Sequence, residues 1–416
     1  MTRKRVVITG LSAITPIGND LATSWENLVA GKSGIGPITA FDATEFASRI
    51  GGEVKDFNPE AYGIPMKSAR RMDRFVQFAV VAGKMLMEDA GLTITEENAH
   101  RVGCLLGVGL GGLSTIEVFH TKLMEAGPNK ISPFMIPMLI SNMAPGQVSI
   151  DCGVKGPNVV MTSACASALH AIGYAFSEIL LGRCDAAITG GVEATITPMG
   201  VSGFTALKAL SAGRNDEPTK ASRPFDKDRD GFVIGEGAGM MMLESLDSAL
   251  ARGAKIYGEI VGFGASGDAY HMTAPHEDGI GMAQAMRAAI DEAGITPEQV
   301  GHINAHATST HLNDLCETKA IKRVFGDHAY KIAITANKSM TGHLLGAAGG
   351  IESVFTIMTL HNGVIPGTIN RETPDPECDL DYTTEGSIKK QVQYALCNSF
   401  GFGGTNASIL YKRYEG

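Results

Sequence analysis

From Tyr257 onward the chain repeats a plan it has already run once, and that repetition constrains the fold more than any other feature. Strand-like apolar runs at 257–262, 301–305, 331–336 and 393–398 alternate with helical patterns at 279–294, 314–324 and 344–361. The first half has the same rhythm, with strands at 5–10, 102–107, 159–162 and 185–189, and helices at 21–28, 73–90 and just after residue 165. Alternating strands and helices in two similar halves predict stacked α/β units with a mixed sheet in each. The halves are read as 1–255 and 256–416, and they share one core because no linker-like composition separates them. Residues 33–65, rich in Gly and Pro, read as irregular.

The run Val159-Val160-Met161-Thr162-Ser163-Ala164-Cys165-Ala166-Ser167-Ala168 is an apolar strand that breaks at small residues, presents one cysteine and enters a helix. Small flanking residues let the backbone turn sharply. A thiol at a helix N-terminus faces unpaired N–H groups and the positive end of the dipole, which favours thiolate. A thiolate there predicts nucleophilic acyl-thioester chemistry on a strained strand-to-helix elbow. Burial as a small hydrophobe is the commoner fate of cysteine, and that reading is kept for Cys104, Cys152, Cys184, Cys316, Cys378 and Cys397.

Composition excludes several classes. With 416 residues, 44% apolar and 19% charged, the chain buries a large core. No run of 18 apolar residues is present, and Met1–Arg5 leads directly into a short strand, so neither a membrane span nor a secretory signal is expected and the protein reads as cytoplasmic. Seven cysteines without framework spacing point to free thiols in a reducing compartment. A net charge of −9 argues against nucleic-acid binding.

Two segments match G-x-G-x-x-G, 107–112 and 262–267, and both are read as tight turns rather than dinucleotide sites. Asp226-Lys227-Asp228-Arg229-Asp230-Gly231 imitates the opening of an EF-hand loop, but the twelfth position is Gly237 and Glu236 falls one early. Met66–Arg74 concentrates Lys67, Arg70, Arg71 and Arg74 in an otherwise acidic chain.

Three later constellations converge on one site. Asn304-Ala305-His306-Ala307-Thr308-Ser309-Thr310 places a histidine beside hydroxyls just after a strand. Asn337-Lys338-Ser339-Met340-Thr341-Gly342-His343 places a second one in the same way. Asn398-Ser399-Phe400-Gly401-Phe402-Gly403-Gly404-Thr405-Asn406 is a glycine-aromatic loop whose N–H groups suit an oxyanion. Two histidines after strands, in a chain with an elbow cysteine, point to catalysis. His302 and His306 have helical metal-ligand spacing, but they lie on a strand without a carboxylate partner, so no metal is expected.

Taken together, the TSACASA elbow, the NAH and TST run, KSM-TGH-LLGAAG-GIE and NSFGFGGTN resemble the β-ketoacyl-[acyl carrier protein] synthases, most of all the bacterial type II fatty-acid elongating kind, over essentially the whole chain. The resemblance implies a thiolase-like fold, with two duplicated halves in a five-layered α-β-α-β-α arrangement. It also implies a homodimer and a decarboxylative Claisen condensation with malonyl-acyl carrier protein, with no cofactor and no metal. It assigns Cys165 as acyl acceptor, His306 and His343 to the malonyl carbonyl, and Lys338 to their support through Glu352. The N–H groups of Cys165 and Phe402 become the oxyanion hole, with Phe402 as gate. Thr308 and Thr310 bind the pantetheine arm, and Leu110, Phe400 and the partner's Phe134 bound the acyl pocket. Carrier proteins of this kind are acidic, which assigns docking to Lys67, Arg70, Arg71, Lys130 and Lys208.

The chain departs from the family pattern at Ala307, usually glycine, and at His311-Leu312-Asn313-Asp314, commonly Pro-x-Gly-Asp. A thiolase is the weaker alternative, because Cys397 is followed by Asn398 and Ser399 instead of that family's Cys-x-Gly loop. An initiating synthase resembles Cys-His-Asn, which His343 disfavours. A polyketide-type ketosynthase shares the same three residues, and a non-catalytic chain-length partner would lack Cys165.

Overall fold

The computed structural model describes residues 4–416; Met1–Arg3, part of the basic lead-in to the first strand, lies outside the described residues. Ten strands form the frame: β1 Val6–Ile14, β2 Val102–Gly107, β3 Asn158–Met161, β4 Ala186–Glu193, β5 Gly237–Ser245, β6 Gly258–Gly267, β7 Val300–Asn304, β8 Ala333–Thr335, β9 Tyr394–Gly401 and β10 Thr405–Lys412. Six of the longer helices pack on them: α1 Arg74–Ala90, α2 Met143–Cys152, α3 Ser167–Leu180, α4 Ile280–Ala293, α5 His311–Phe325 and α6 Ala348–Asn362. The strand order is β8-β7-β9-β10-β6-β1-β5-β4-β2-β3. Counted within each half, both five-strand runs have the order 3-2-4-5-1, so the chain is a duplication. The sequence implied a separate sheet per half. Instead the two join edge to edge where Val6–Ile8 of β1 pairs antiparallel with Gly258–Ile260 of β6.

Alternation along the strands builds the layers. In β5, Met240 and Met242 face α1 and α2, while Met241 and Leu243 face the other way. In β9, Ala395 and Cys397 share that second cluster, and Leu396 turns toward α4 and α5. The shared cluster contains Leu169 and Phe176 of α3 with Val354 and Ile357 of α6, so these two helices lie between the halves. The result is five layers: α1/α2, strands, α3/α6, strands, α4/α5. Each leucine or isoleucine sealed in these layers contributes about 1.5–3 kcal/mol.

Several boundaries differ from the sequence reading. Gly262–Gly267 lies inside β6 and is no turn. A Cβ on Gly262 or Gly264 would sit 2.0 or 1.9 Å from the carbonyl oxygens of Ala289 or Ala285, so these glycines let α4 press onto the strand. Gly190 and Gly191 likewise continue β4. β5 runs on through residues 243–245 before a short helix, Leu246–Ala251, begins. The glycine-aromatic segment is the end of β9 and a hairpin turn into β10, a strand the sequence reading missed. The pseudo-EF-hand segment is consumed by ion pairs, Asp226 with Arg223, and Asp314 and Asp375 with Arg229, while Asp230 accepts the Ala212 and Gly213 N–H groups.

Candidate active site

Cys165 stands between β3 and α3 on a turn whose shape comes from short polar side chains. Ala164 holds φ 51°, left-handed for a residue with a Cβ, at a cost of roughly 1–2 kcal/mol. The Ser163 N–H donates to Ser167 Oγ at 2.9 Å, Ser167 Oγ donates to the Ala164 carbonyl at 2.6 Å, and Thr405 Oγ1 donates to the Ser163 carbonyl at 3.0 Å. A Cβ on Gly401 would lie 3.1 Å from the Cys165 nitrogen, so the Phe400-Gly401-Phe402 turn runs against the elbow N–H.

Three other strand ends deliver the remaining groups. His306 follows β7, Lys338 and His343 follow β8, and Phe400 closes β9. His343 Nε2 is 2.9 Å from Cys165 Sγ, and the His306 and His343 rings meet edge to face with centroids 5.4 Å apart. Lys338 is buried and distributes its three donors among the His306 carbonyl at 2.5 Å, His306 Nδ1 at 3.3 Å and the Glu352 carboxylate. An ammonium only donates, so Nδ1 of His306 accepts and the ring's hydrogen sits on Nε2. The backbone N–H groups of His306 and Ala307 donate to Glu317 at 2.8 Å each. Ala307 and Ser309 hold φ 37° and 68°, so the alanine at the first departure from the family pattern occupies a conformation glycine adopts more cheaply.

Two influences on the Cys165 thiol oppose each other. The helix N-terminus argues for thiolate, but burial pushes the Cys165 thiol up to about 12, with the Lys338 charge pulling the other way. Burial, with Lys338 nearby, also holds His306 and His343 well below the ordinary histidine range. The resting pair is therefore neutral thiol and neutral imidazole. Burial raises Glu352 to about 7 against the pull of Lys338. The ligand atoms of Cys165, His306 and His343 lie within 4.8 Å of one another, a metal-like spacing. The ammonium on His306 Nδ1 repels a cation there, and the close Sγ–Nε2 contact already engages two of the three ligand atoms.

These groups open into a cavity of about 360 Å³ lined by Thr308, Thr310, Phe400, Phe402 and Lys208 among others. Thr308 and Thr310 hydroxyls lie 2.9 Å apart, and Phe400 packs edge-on to His306. Leu110 and Phe134 are not on this wall: Leu110 is 49% exposed, and the Phe134 ring lies under Arg71 at 4.4 Å. Lys67, Arg70, Arg71, Lys130 and Lys208 are exposed, whereas Arg74 is drawn into a pair with Glu236. The sequence reading missed Glu317 and Glu193, both fully buried beside these loops. No helix among the described residues is long and apolar enough to cross a membrane.

Comparison with known proteins gives a consistent picture. A family model described as "Beta-ketoacyl synthase, N-terminal domain" matches residues 3–249, and "Beta-ketoacyl synthase, C-terminal domain" matches 257–372. The chain is 54% identical over 415 residues to the 3-oxoacyl-[acyl-carrier-protein] synthase 2 of Synechocystis sp., covering 100% of this chain and 99% of the relative. It is 51% identical over 415 residues to the protein of that name from Vibrio cholerae, covering 99% and 100%. Among solved structures, the ishigamide ketosynthase/chain length factor superposes with a TM-score of 0.92 at 35% identity, each chain covered fully. A type II PKS acyl-carrier protein in complex with its ketosynthase bound to the hexaketide also matches, at TM-score 0.92 and 34% identity, again with both chains fully covered.

Proposed function

The chain belongs to the β-ketoacyl synthase family and is a condensing acyltransferase of fatty-acid elongation, and from that premise we propose how its residues act. An acyl-acyl carrier protein delivers its thioester to Cys165. The sulfur attacks as its proton passes to His343 Nε2, the base 2.9 Å away, and on to the departing pantetheine thiol. The N–H groups of Cys165 and Phe402 hold the oxyanion of this step.

Malonyl-acyl carrier protein then occupies the emptied arm site, with Thr308 and Thr310 bonding the pantetheine. Its thioester oxygen accepts from Nε2–H of His306, the tautomer fixed by Lys338, and from Nε2–H of His343. The Nδ1 of His343 has no partner among the described residues, so this ring can change tautomer between the half-reactions. Carbon dioxide leaves, the two donors stabilise the enolate, and its carbon attacks the Cys165 thioester carbonyl, breaking the C–S bond and releasing the Cys165 sulfur as thiolate, which takes up a proton to restore the thiol. The product is a 3-oxoacyl carrier two carbons longer. Glu352 supports the arrangement by keeping Lys338 charged and aimed.

The acidic carrier docks on Lys67, Arg70, Arg71, Lys130 and Lys208, with Lys208 at the cavity mouth. The Arg71–Phe134 contact sets that patch beside the segment bearing Lys130. A homodimer is supported by β3, the outermost strand, whose Val159 is 41% exposed, and by the exposed Val118, Ile136 and Ile150. In such a dimer, Leu110 and the partner's Phe134 close the acyl pocket, which explains why neither reaches the cavity of a single chain. Seven unpaired cysteines suit a reducing, cytoplasmic setting.

The contact of Cys165 with His343, beside a histidine whose tautomer is fixed, carries this reading. It is tested by mass spectrometry of products from malonyl carrier protein and a ladder of acyl carriers. The expected result is an acyl adduct on Cys165 and a 3-oxoacyl carrier extended by one two-carbon unit. No adduct on Cys165 would overturn it, and poly-β-keto products would favour the polyketide alternative.

A further inference from the structure

We infer that Glu193 is a positioning residue that fixes the Leu110 loop and the His343–Gly346 segment as one unit, so that the acyl wall and the imidazole beside Cys165 shift together. The inference rests on the functional reading above for what the two segments do. Glu193 ends β4 and is fully buried. Its Oε2 accepts the N–H of Gly109 at 2.8 Å and those of Leu110 and Gly346 at 3.2 Å. Its Oε1 accepts Leu110 and Gly111, each at 3.2 Å.

Three consecutive N–H groups of one loop thus turn onto a single carboxylate, and a fourth arrives from the other half of the chain. Among the described residues no ion pair to Glu193 is present, so these backbone dipoles are what hold it. Burial pushes its carboxyl up to about 7, with the N–H groups opposing. The two backbones touch directly: a Cβ on Gly346 would fall 2.1 Å from the Gly109 nitrogen, and one on Gly109 would fall 2.3 Å from Glu193 Oε2. Between Gly346 and His343, Leu345 holds φ 49° and lines the cavity. A tie between two surface loops would need no such burial. This one joins the loop carrying half-exposed Leu110, which bounds the acyl pocket only in the dimer proposed above, to the segment whose His343 and Leu345 line the cavity.

Glu193→Gln keeps volume and removes the ability of one oxygen to accept. In the full-length enzyme, wild type is assayed first, and failure to condense malonyl with acyl carrier would sink the functional reading without touching the tie. With wild type active, Glu193→Gln is expected to keep its melting temperature within a few degrees. Its ratio of kcat/KM for long over short acyl carriers should change about tenfold, with condensation slowed up to ~10²-fold by the displaced imidazole. An unchanged ratio, or a uniform fall for all chain lengths, would overturn the inference. A measurement on wild type guards against misfolding of the variant. Hydrogen exchange is compared after labelling Cys165 with short and long N-alkyl iodoacetamides, which need only a reactive thiol. Protection at 109–111 and at 343–346 should change together with the long probe, and a change confined to one segment would overturn it.

Discussion

The protonation state of Cys165 decides how the first half-reaction runs. With its thiol pushed up to about 12, on the order of 10⁻⁴ of it is ionised at pH 8, against about a quarter of an unperturbed thiol near 8.5. The protein carries its own reference, because Cys152 is half-buried, lies outside the cavity, and is raised by burial to about 11. Between pH 7 and 10 both groups sit below their midpoints, so each alkylation rate should climb about tenfold per pH unit and their ratio should stay level. A thiolate preformed by the helix N-terminus would already be ionised, and the Cys165 to Cys152 ratio would then fall about tenfold per unit. The assay is peptide mass spectrometry of iodoacetamide adducts at timed intervals across that range. Cys165 should still be labelled ahead of Cys104, Cys184, Cys316, Cys378 and Cys397, because only Cys165 opens to the cavity and has a base within reach. A falling ratio would refute the neutral-pair description, and with it the passage of the proton through His343.

Charge reversal of Lys67, Arg70 and Arg71 to Glu should raise KM for carrier-bound substrate, flatten its salt dependence and leave kcat largely unchanged, with steady-state kinetics as the check. An equal loss with short pantetheine thioesters would show that the patch is structural. His306→Ala should still form the acyl adduct yet lose condensation by about 10²–10³-fold, the usual effect of deleting one oxyanion donor, whereas His343→Ala should also acylate Cys165 slowly, because the base that takes the thiol proton is gone. Carbon dioxide release at the wild-type rate by either variant would remove that histidine from the enolate.

The fold was legible where local pattern and tertiary role agree. β2 reads from Val102 to Gly107 because all six residues are buried, and α1 reads to within a residue because Asp73 caps its start and left-handed Gly91 ends it. Glycine misled wherever it served a neighbour instead of its own backbone. Gly262 and Gly264 look like turn residues until α4 is known to lie on them, and that contact links residues more than twenty apart. The last strand was hidden for a related reason. Thr405 and Asn406 continue a polar, glycine-rich loop in the sequence, and pairing with Gly401 and Phe400 on one side and with Gly267 and Ser266 on the other makes them a strand.

At the site, the residues the structure brings together around Cys165 were legible and the groups that surround them were not. Cys165, His306 and His343 announce themselves by standing after strands among small and polar residues, because a reactive side chain needs room and a sharp turn. Their ionisation depends on what converges from elsewhere, and a short window around Cys165 contains neither Lys338 nor the layers that bury it. The carboxylates were the least visible. Glu193 and Glu317 are satisfied mainly by backbone N–H groups, of 109–111 and 346 in one case and of 306–307 in the other. Backbone donors leave no trace in side-chain identity, so nothing in the sequence distinguishes such a glutamate from a solvated one. The signal that remains is indirect: an acidic residue closing an apolar run, as Glu193 closes Ala186–Val192, stands where the next loop must cross the strand's end. A charge placed there is buried with the strand, and the crossing backbone supplies the donors that make its burial tolerable.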